Sequence, residues 1–195
     1  MAPATLTREL ATIPSHEDET AAGDAIETWL REETDAAVRR DAHGNVIARR
    51  DTGIDDASSL ALVGHHDVVP PDDAQVGPDG EYVIEERDGR LYGRGTADMK
   101  GAVAAAMHAF RDATIDDLDL RFVSFVGEEI GGEGARGAIA DGFNPDYAVV
   151  AEGSTGYSGP GVTDVAVAHK GRRGSTVTAR GTAAHASEVE AGENA

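Results

Sequence analysis

Three apolar runs in this chain each end in side chains that can bind a metal or move a proton. "LALVG" (60–64) runs into His65, His66 and Asp67, "RFVSFVG" (121–127) into Glu128 and Glu129, and "YAVVA" (147–151) into Glu152. A fourth carboxylate, Asp98, stands behind the Gly-rich stretch of "GRLYGRGTADMKGAVAAAM", at the mouth of a helical segment. Asp caps helices well, so alone Asp98 reads as an N-cap; beside the three strand ends it reads as a carboxylate able to bridge two ions. The chain has no cysteine, so a metal here is held by imidazole and carboxylate, a donor set that suits zinc, cobalt or manganese. Two such ions about 4 Å apart can share a carboxylate, polarise a carbonyl and generate hydroxide near neutral pH. Glu128 and Glu129 are adjacent and point in different directions in an extended or loop segment. One of them can therefore bind metal while the other takes a proton from water.

These groups matter together only if the strand ends meet. In open α/β sheets ligands bind beyond the carboxyl ends of the strands, where loops and helix N-termini converge. The pattern supplies such a sheet. Helical spacing over "TLTRELATI" (5–13) stops at Pro14, and Ser15 with Glu17, Asp18 and Glu19 predicts a helix start for "HEDETAAGDAIETWLREET" (16–34), its apolar face carrying Ala22, Ile26 and Leu30. "AAVRRDAHGNVIARR" (36–50) predicts two short strands around a turn at His43–Gly44–Asn45. "SLALVG", helical "MKGAVAAAMHAFRDA", "LRFVSFVG", the shorter "GARGAIADG" and "YAVVAEG" then alternate. That alternation predicts an α/β domain with a largely parallel sheet and helices on its faces. From about Thr163 the texture becomes strand-like and Gly-punctuated with no following helix, which reads as the chain entering a second domain. Along the strand that runs into His65, residues two apart share a face, so His65 and Asp67 point one way and His66 the other.

Composition removes several function classes. Asp and Glu number 36 against 17 Lys and Arg, a net charge of −19 spread along the chain. Nucleic-acid phosphates would be repelled, so a nucleic-acid partner is not expected. So acidic a surface suggests a protein kept soluble in a very salty cytoplasm, where screening blunts self-repulsion. The N-terminus lacks the basic and apolar regions of a secretory signal, and no apolar run reaches the length of a membrane span, so a soluble, cytoplasmic protein with no membrane partner is expected. "GEGARG" (132–137) fits G-x-G-x-x-G, but the Glu128–Glu129 pair separates it from the strand and Glu133 would face a phosphate. "GRGTADMKG" lacks the spacing and the Ser/Thr of a P-loop, and there is no G-x-S-x-G elbow.

Seven stretches in order, "IPSHEDE", "GHHDVVP", "LYGRGTADMKG", "GEEIGGEGA", "AEGS", "HKGRRGS" and "GTAAHAS...GENA", resemble the M20 metallopeptidase/amidohydrolase family, which includes succinyl-diaminopimelate desuccinylase, acetylornithine deacetylase and related carboxypeptidases. The resemblance implies a zinc-exopeptidase-like catalytic domain over residues 1–171 and the start of a small α+β lid and dimerisation domain over 172–195. It implies that His65 and Glu152 hold one zinc, that Asp98 bridges two, and that Glu129 holds the second. Glu128 would be the general base and Asp67 would orient His65 from behind. His185 resembles the histidine that helps stabilise the tetrahedral oxyanion, often across a dimer interface, so a homodimer is implied for the complete protein. "GRRG" (171–174) looks most like the desuccinylase branch.

Two departures from the family accompany this. Gly153 follows Glu152 where the family often has Pro. Family members also continue for about as long again, and that return portion supplies a histidine to the second metal. No residue here takes its role: His108 falls in a predicted helix, His16 at a helix start, His43 in a turn, and His169 with the later strand. The second metal site and the lid are therefore expected to be incomplete. The leading expectation is metal-dependent hydrolysis of the amide bond of an N-acyl amino acid or small peptide, of desuccinylase or deacetylase type. Its rivals are a truncated, inactive fragment with a partial metal site and a non-catalytic metal-binding module.

Overall fold

The computed structural model describes residues 2–153, 165–167, 177–185, 187 and 189–193. In chain order its regular elements are α1 (Pro3–Thr12), α2 (Thr20–Glu33), β1 (Ala37–Arg40), β2 (Val46–Arg50), β3 (Ser58–His65), β4 (Glu85–Arg87), β5 (Arg90–Tyr92), α3 (Lys100–Asp112), β6 (Leu118–Phe125), α4 (Glu133–Ala140) and β7 (Tyr147–Val150). Five strands form one sheet in the order β1-β2-β6-β3-β7. β3 lies parallel to both β6 and β7, and β1 and β2 add antiparallel strands beyond β6. Connection length explains the difference. The short turn between β1 and β2 closes only an antiparallel hairpin, whereas the crossover through α3 lets β6 return in the direction of β3.

Helices cover both faces of this sheet, as expected for a parallel centre. Along β6, Leu120 and Phe122 join Leu10, Ile26, Leu30, Val103, Met107 and Phe110 of the three long helices, while Val123 and Phe125 join Ala138 of α4. Alternate residues of one strand thus serve two cores. Leu30, Phe110 and Phe122 are fully buried, each stabilising the fold by roughly 1.5–3 kcal/mol through removal from water. β7 is an edge strand, and Tyr147, Val149 and Val150 are exposed there.

Two expectations shift. α2 begins at Thr20 rather than at Ser15: Ser15 is buried, its backbone N–H donates to the Tyr82 hydroxyl (3.2 Å) and its carbonyl accepts from Val68 N–H (3.2 Å). Those tertiary bonds hold 13–19 as an irregular strap, a competition that local capping propensity cannot register. The β4–β5 hairpin, exposed and tied by an Arg8–Glu86 ion pair, was not foreseen, because its strands are short and charged.

Contacts divide the chain into two compact units, Met1–Ser154 and Thr155–Ala195. In the second, Thr182 and Glu193 pair in an antiparallel bridge beside a 3-10 turn at Val189–Ala191. The expected domain boundary at 171/172, the "GRRG" stretch and His169 lie outside the described residues. Among the described residues, no helix is long and apolar enough to cross a membrane.

Candidate metal centre

His65 is the last residue of β3, and its ring is 2% exposed. Gly64 before it has no room for a side chain: a Cβ there would come within 2.8 Å of Val103 and 3.1 Å of Met99. Burial leaves the two ring nitrogens to be satisfied by specific partners. Nδ1 lies 3.1 Å from the Asp67 carbonyl and 3.3 Å from Asp67 Oδ1. Nε2 faces a cluster of acids: Asp98 Oδ1 at 3.1 Å, Glu152 Oε1 at 3.3 Å and Glu128 Oε2 at 3.9 Å. Donor atoms of His65, Asp98 and Glu129 lie within 4.8 Å of one another.

Each acid is delivered by a different element. Glu128 and Glu129 follow β6 in the loop 126–132, whose turns use positive φ at Gly127 (+62°) and Gly132 (+69°). Glu152 follows β7, which pairs with β3 from Leu60–Tyr147 to Val63–Val150 and so ends beside His65. Asp98 precedes α3, but the cap position of that helix is Met99 and no side chain caps it. Asp98 is therefore free to face His65 instead of the helix N-terminus. Lys100, one of the chain's two lysines, fixes that corner: it is fully buried, and its Nζ donates to the Ile13 carbonyl (2.6 Å). Burial pushes its ammonium down to about 7, with the Asp67 charge opposing.

Electrostatics mark the acids as a cation's environment. Burial, and after it the charges of neighbouring acids, raise the carboxyls of Glu128 and Glu129 above their ordinary value, while His65 pulls the other way. Burial alone would lower the His65 imidazole, yet hydrogen bonds to Asp67 and Glu152 lift it to about 11. Asp67 shows the opposite balance. Burial would raise it, but hydrogen bonds from His65 and from the Glu129 and Glu128 backbones hold it below the carboxylate range. Its Oδ2 accepts the Glu129 backbone N–H at 2.9 Å. A buried imidazole with several carboxylates converging on it fits a divalent cation, which would replace the proton on His65 and neutralise the acids.

The remaining histidines sit elsewhere. His66 points away from the cluster, with Nδ1 2.8 Å from Ser124 Oγ, and burial pushes its pKa down to about 3. His108 stacks against Trp29, His16 meets the Tyr82 hydroxyl (2.6 Å) and His43 meets Asp141 (2.9 Å). His185, in the second unit, lies 2.8 Å from Ser187 Oγ through Nδ1. Two contributors escaped the sequence reading. Lys100 carried a signal, since a cation in the first turn of a helix opposes the macrodipole. Asn45, read as a turn residue, gave no sign in the sequence that its Oδ1 accepts the Val126 N–H and its Nδ2 donates to the Gly134 carbonyl.

Solved structures resemble this chain in fold. Human carnosine dipeptidase 1 superposes with a TM-score of 0.61 at 22% identity over 76% of this chain and 37% of that one. An aminoacylhistidine dipeptidase from Vibrio alginolyticus gives 0.59 at 23%, over 76% and 32% respectively. An M20 family metallo-carboxypeptidase from Sulfolobus solfataricus gives 0.59 at 18%, over 75% and 36%. The chain thus spans about a third of the length of these proteins. Its sequence from residue 61 to 194, which includes His65 and the five acids around it, matches the profile of Peptidase family M20/M25/M40. That match covers more than half of the chain: it belongs to peptidase family M20/M25/M40.

Proposed function

We propose that this chain carries the metal centre of a hydrolase that cleaves the amide bond of an N-acyl amino acid or small peptide, of desuccinylase or deacetylase type. The observation that carries this reading is the placement of His65 Nε2 within 3.9 Å of carboxylates from three separate elements. In this reading His65 and Glu152 would hold one divalent ion and Glu129 a second, with Asp98 shared between the two. Zinc is the proposed metal, with cobalt or manganese able to replace it. Among the described residues no other imidazole pairs with these acids.

Bound metal would supply Lewis acidity toward the amide carbonyl and a water acidified toward neutrality. The chain's own groups do the rest. Asp67 orients His65 through Nδ1. Glu128, whose carboxyl burial holds above its ordinary value, takes a proton from the attacking water. It then gives that proton to the amide nitrogen as the C–N bond breaks, so a carboxylate and an amine leave. His185 is assigned to the oxyanion of a neighbouring copy's site in a homodimer. The acidic surface, −19 overall, supports a salty cytoplasm as the working environment.

Incubating the purified chain with Zn²⁺ or Co²⁺ and succinyl-diaminopimelate, acetylornithine or dipeptides tests the reaction. Glu128→Gln is expected to keep metal bound while turnover falls by about 10²-fold or more. Unchanged turnover in that variant would remove Glu128 from its role.

A further inference from the structure

Asn45 sits in the turn between β1 and β2, is 0% exposed, and divides its side chain between that turn and a distant segment. Its Oδ1 accepts the backbone N–H of Val126 (3.0 Å), and its Nδ2 donates to the Gly134 carbonyl (3.0 Å) and to Asp41 Oδ2 (2.8 Å). Val126 opens the loop that carries Glu128 and Glu129, Gly134 lies in the first turn of α4 just past its end, and the two close on each other through Gly134 N–H to the Val126 carbonyl (3.1 Å). The Asn45 amide therefore acts as a clip across the mouth of that loop. The far side is held independently, where the Glu129 N–H meets Asp67 Oδ2. A Cβ on Gly134 would collide with both Asn45 Oδ1 and the Val126 carbonyl, so the close approach requires glycine.

From this geometry we infer that Asn45 is a positioning residue for the metal centre: its amide sets where the Glu128–Glu129 loop presents its carboxylates. The inference rests on the metal centre proposed above. Loops are the least stiff parts of a fold, and a loop held at both ends and the middle has few alternatives left to sample. Ligand geometry must be held to about half an ångström for tight binding, which side chains on an unclipped, Gly-rich loop would not achieve.

Asp41 makes the inference separable from simple turn stability. Its Oδ1 accepts the backbone N–H groups of His43 (2.9 Å) and Asn45 (3.0 Å), and its Oδ2 takes Asn45 Nδ2. Asn45→Asp leaves an acceptor for Val126 but sets a carboxylate against the Gly134 carbonyl and against Asp41. Adding Asp41→Asn restores a donor–acceptor pair inside the turn and leaves Gly134 without its donor.

The experiment is a Co²⁺ titration of the full chain followed by visible absorption, with thermal midpoints in chelator as the control. Asn45→Asp is expected to weaken Co²⁺ by about tenfold and alter the band shape, the size of loss typical when an outer partner of a metal site is removed. The double variant Asp41→Asn/Asn45→Asp should recover the thermal midpoint but not the Co²⁺ affinity. Gly134→Ala, attacking the clip from its other side, should weaken Co²⁺ as Asn45→Asp does. Wild-type affinity and spectrum in Asn45→Asp, or recovery of affinity together with midpoint in the double variant, would overturn the inference while leaving the metal centre intact. Failure of the wild-type chain to bind Co²⁺, or equal binding by His65→Ala, would instead overturn the metal centre, and the inference with it.

Discussion

Carboxylates gather at both ends of β3, and they live under opposite conditions. At its amino end, Asp146 Oδ2 accepts the Ser59 backbone N–H (2.8 Å) and its hydroxyl (2.9 Å), and nearby Asp119 Oδ1 accepts the same two kinds of group from Thr52 (2.9 and 3.1 Å). Those bonds, backbone first, hold both acids below the ordinary carboxylate value. At the carboxyl end, Glu128 and Glu129 are raised by burial and by the acids around them. Residue type is almost the same; what differs is whether the protein has already satisfied the oxygen lone pairs. A carboxylate that has found its donors is part of the architecture. Several that share one buried imidazole are the set to which we assign a cation.

That contrast can be broken most forcefully at His65. His65→Ala should weaken Zn²⁺ or Co²⁺ binding by more than about 100-fold, beyond what loss of an outer partner costs; isothermal titration with unchanged affinity would mean that the acids alone hold the ion. Asp67→Asn comes next. It leaves the acids in place but removes the charge behind His65, and about a 10-fold loss of affinity is expected by the same titration.

A smaller effect tests the sign of the comparison. In chelator, Glu129→Gln should raise the thermal midpoint by about 1–2 °C, because the fold disfavours the ionised form of this partly exposed group. Asp146→Ala should lower the midpoint, because the fold favours that ionised form. Equal signs in the two variants would dissolve the distinction between the two ends.

The smallest effect is in acid. The folded-state pKa values of Asp146 and Asp119 lie below the ordinary 3.8. Their stabilisation is therefore complete above that value and is lost as pH falls through the folded one. Thermal melts of the double variant Asp119→Ala/Asp146→Ala should lose less stability than wild type below about pH 4. An identical acid limb would show that these hydrogen bonds do not favour the charged form.

How much of this was legible in the sequence depends on how local each cause is. His65 and Asp67 were separable from His66 because strand alternation is a property of neighbouring residues, and His66 indeed turns to Ser124. Asp98 was ambiguous, since a cap and a ligand look alike in sequence; the absence of any side-chain cap on α3 resolves its orientation toward His65. Ser15 misled, because its capping propensity lost to partners at Val68 and Tyr82, more than fifty residues away in sequence. Asn45 was silent for the same reason: apart from Asp41 in its own turn, its side-chain partners Val126 and Gly134 lie beyond position 125.

By itself, then, the sequence determined which apolar runs become strands, which of them end in donors, and that His66 parts from His65 and Asp67, because periodicity and side-chain chemistry act over a few residues. The tertiary structure alone decided that β6, β3 and β7 would lie side by side, bringing Glu128, Glu129 and Glu152 to His65, and that Asn45 would close the loop between them. Strand order and loop closure are set by which distant apolar faces bury one another, and no window of neighbouring residues contains that information.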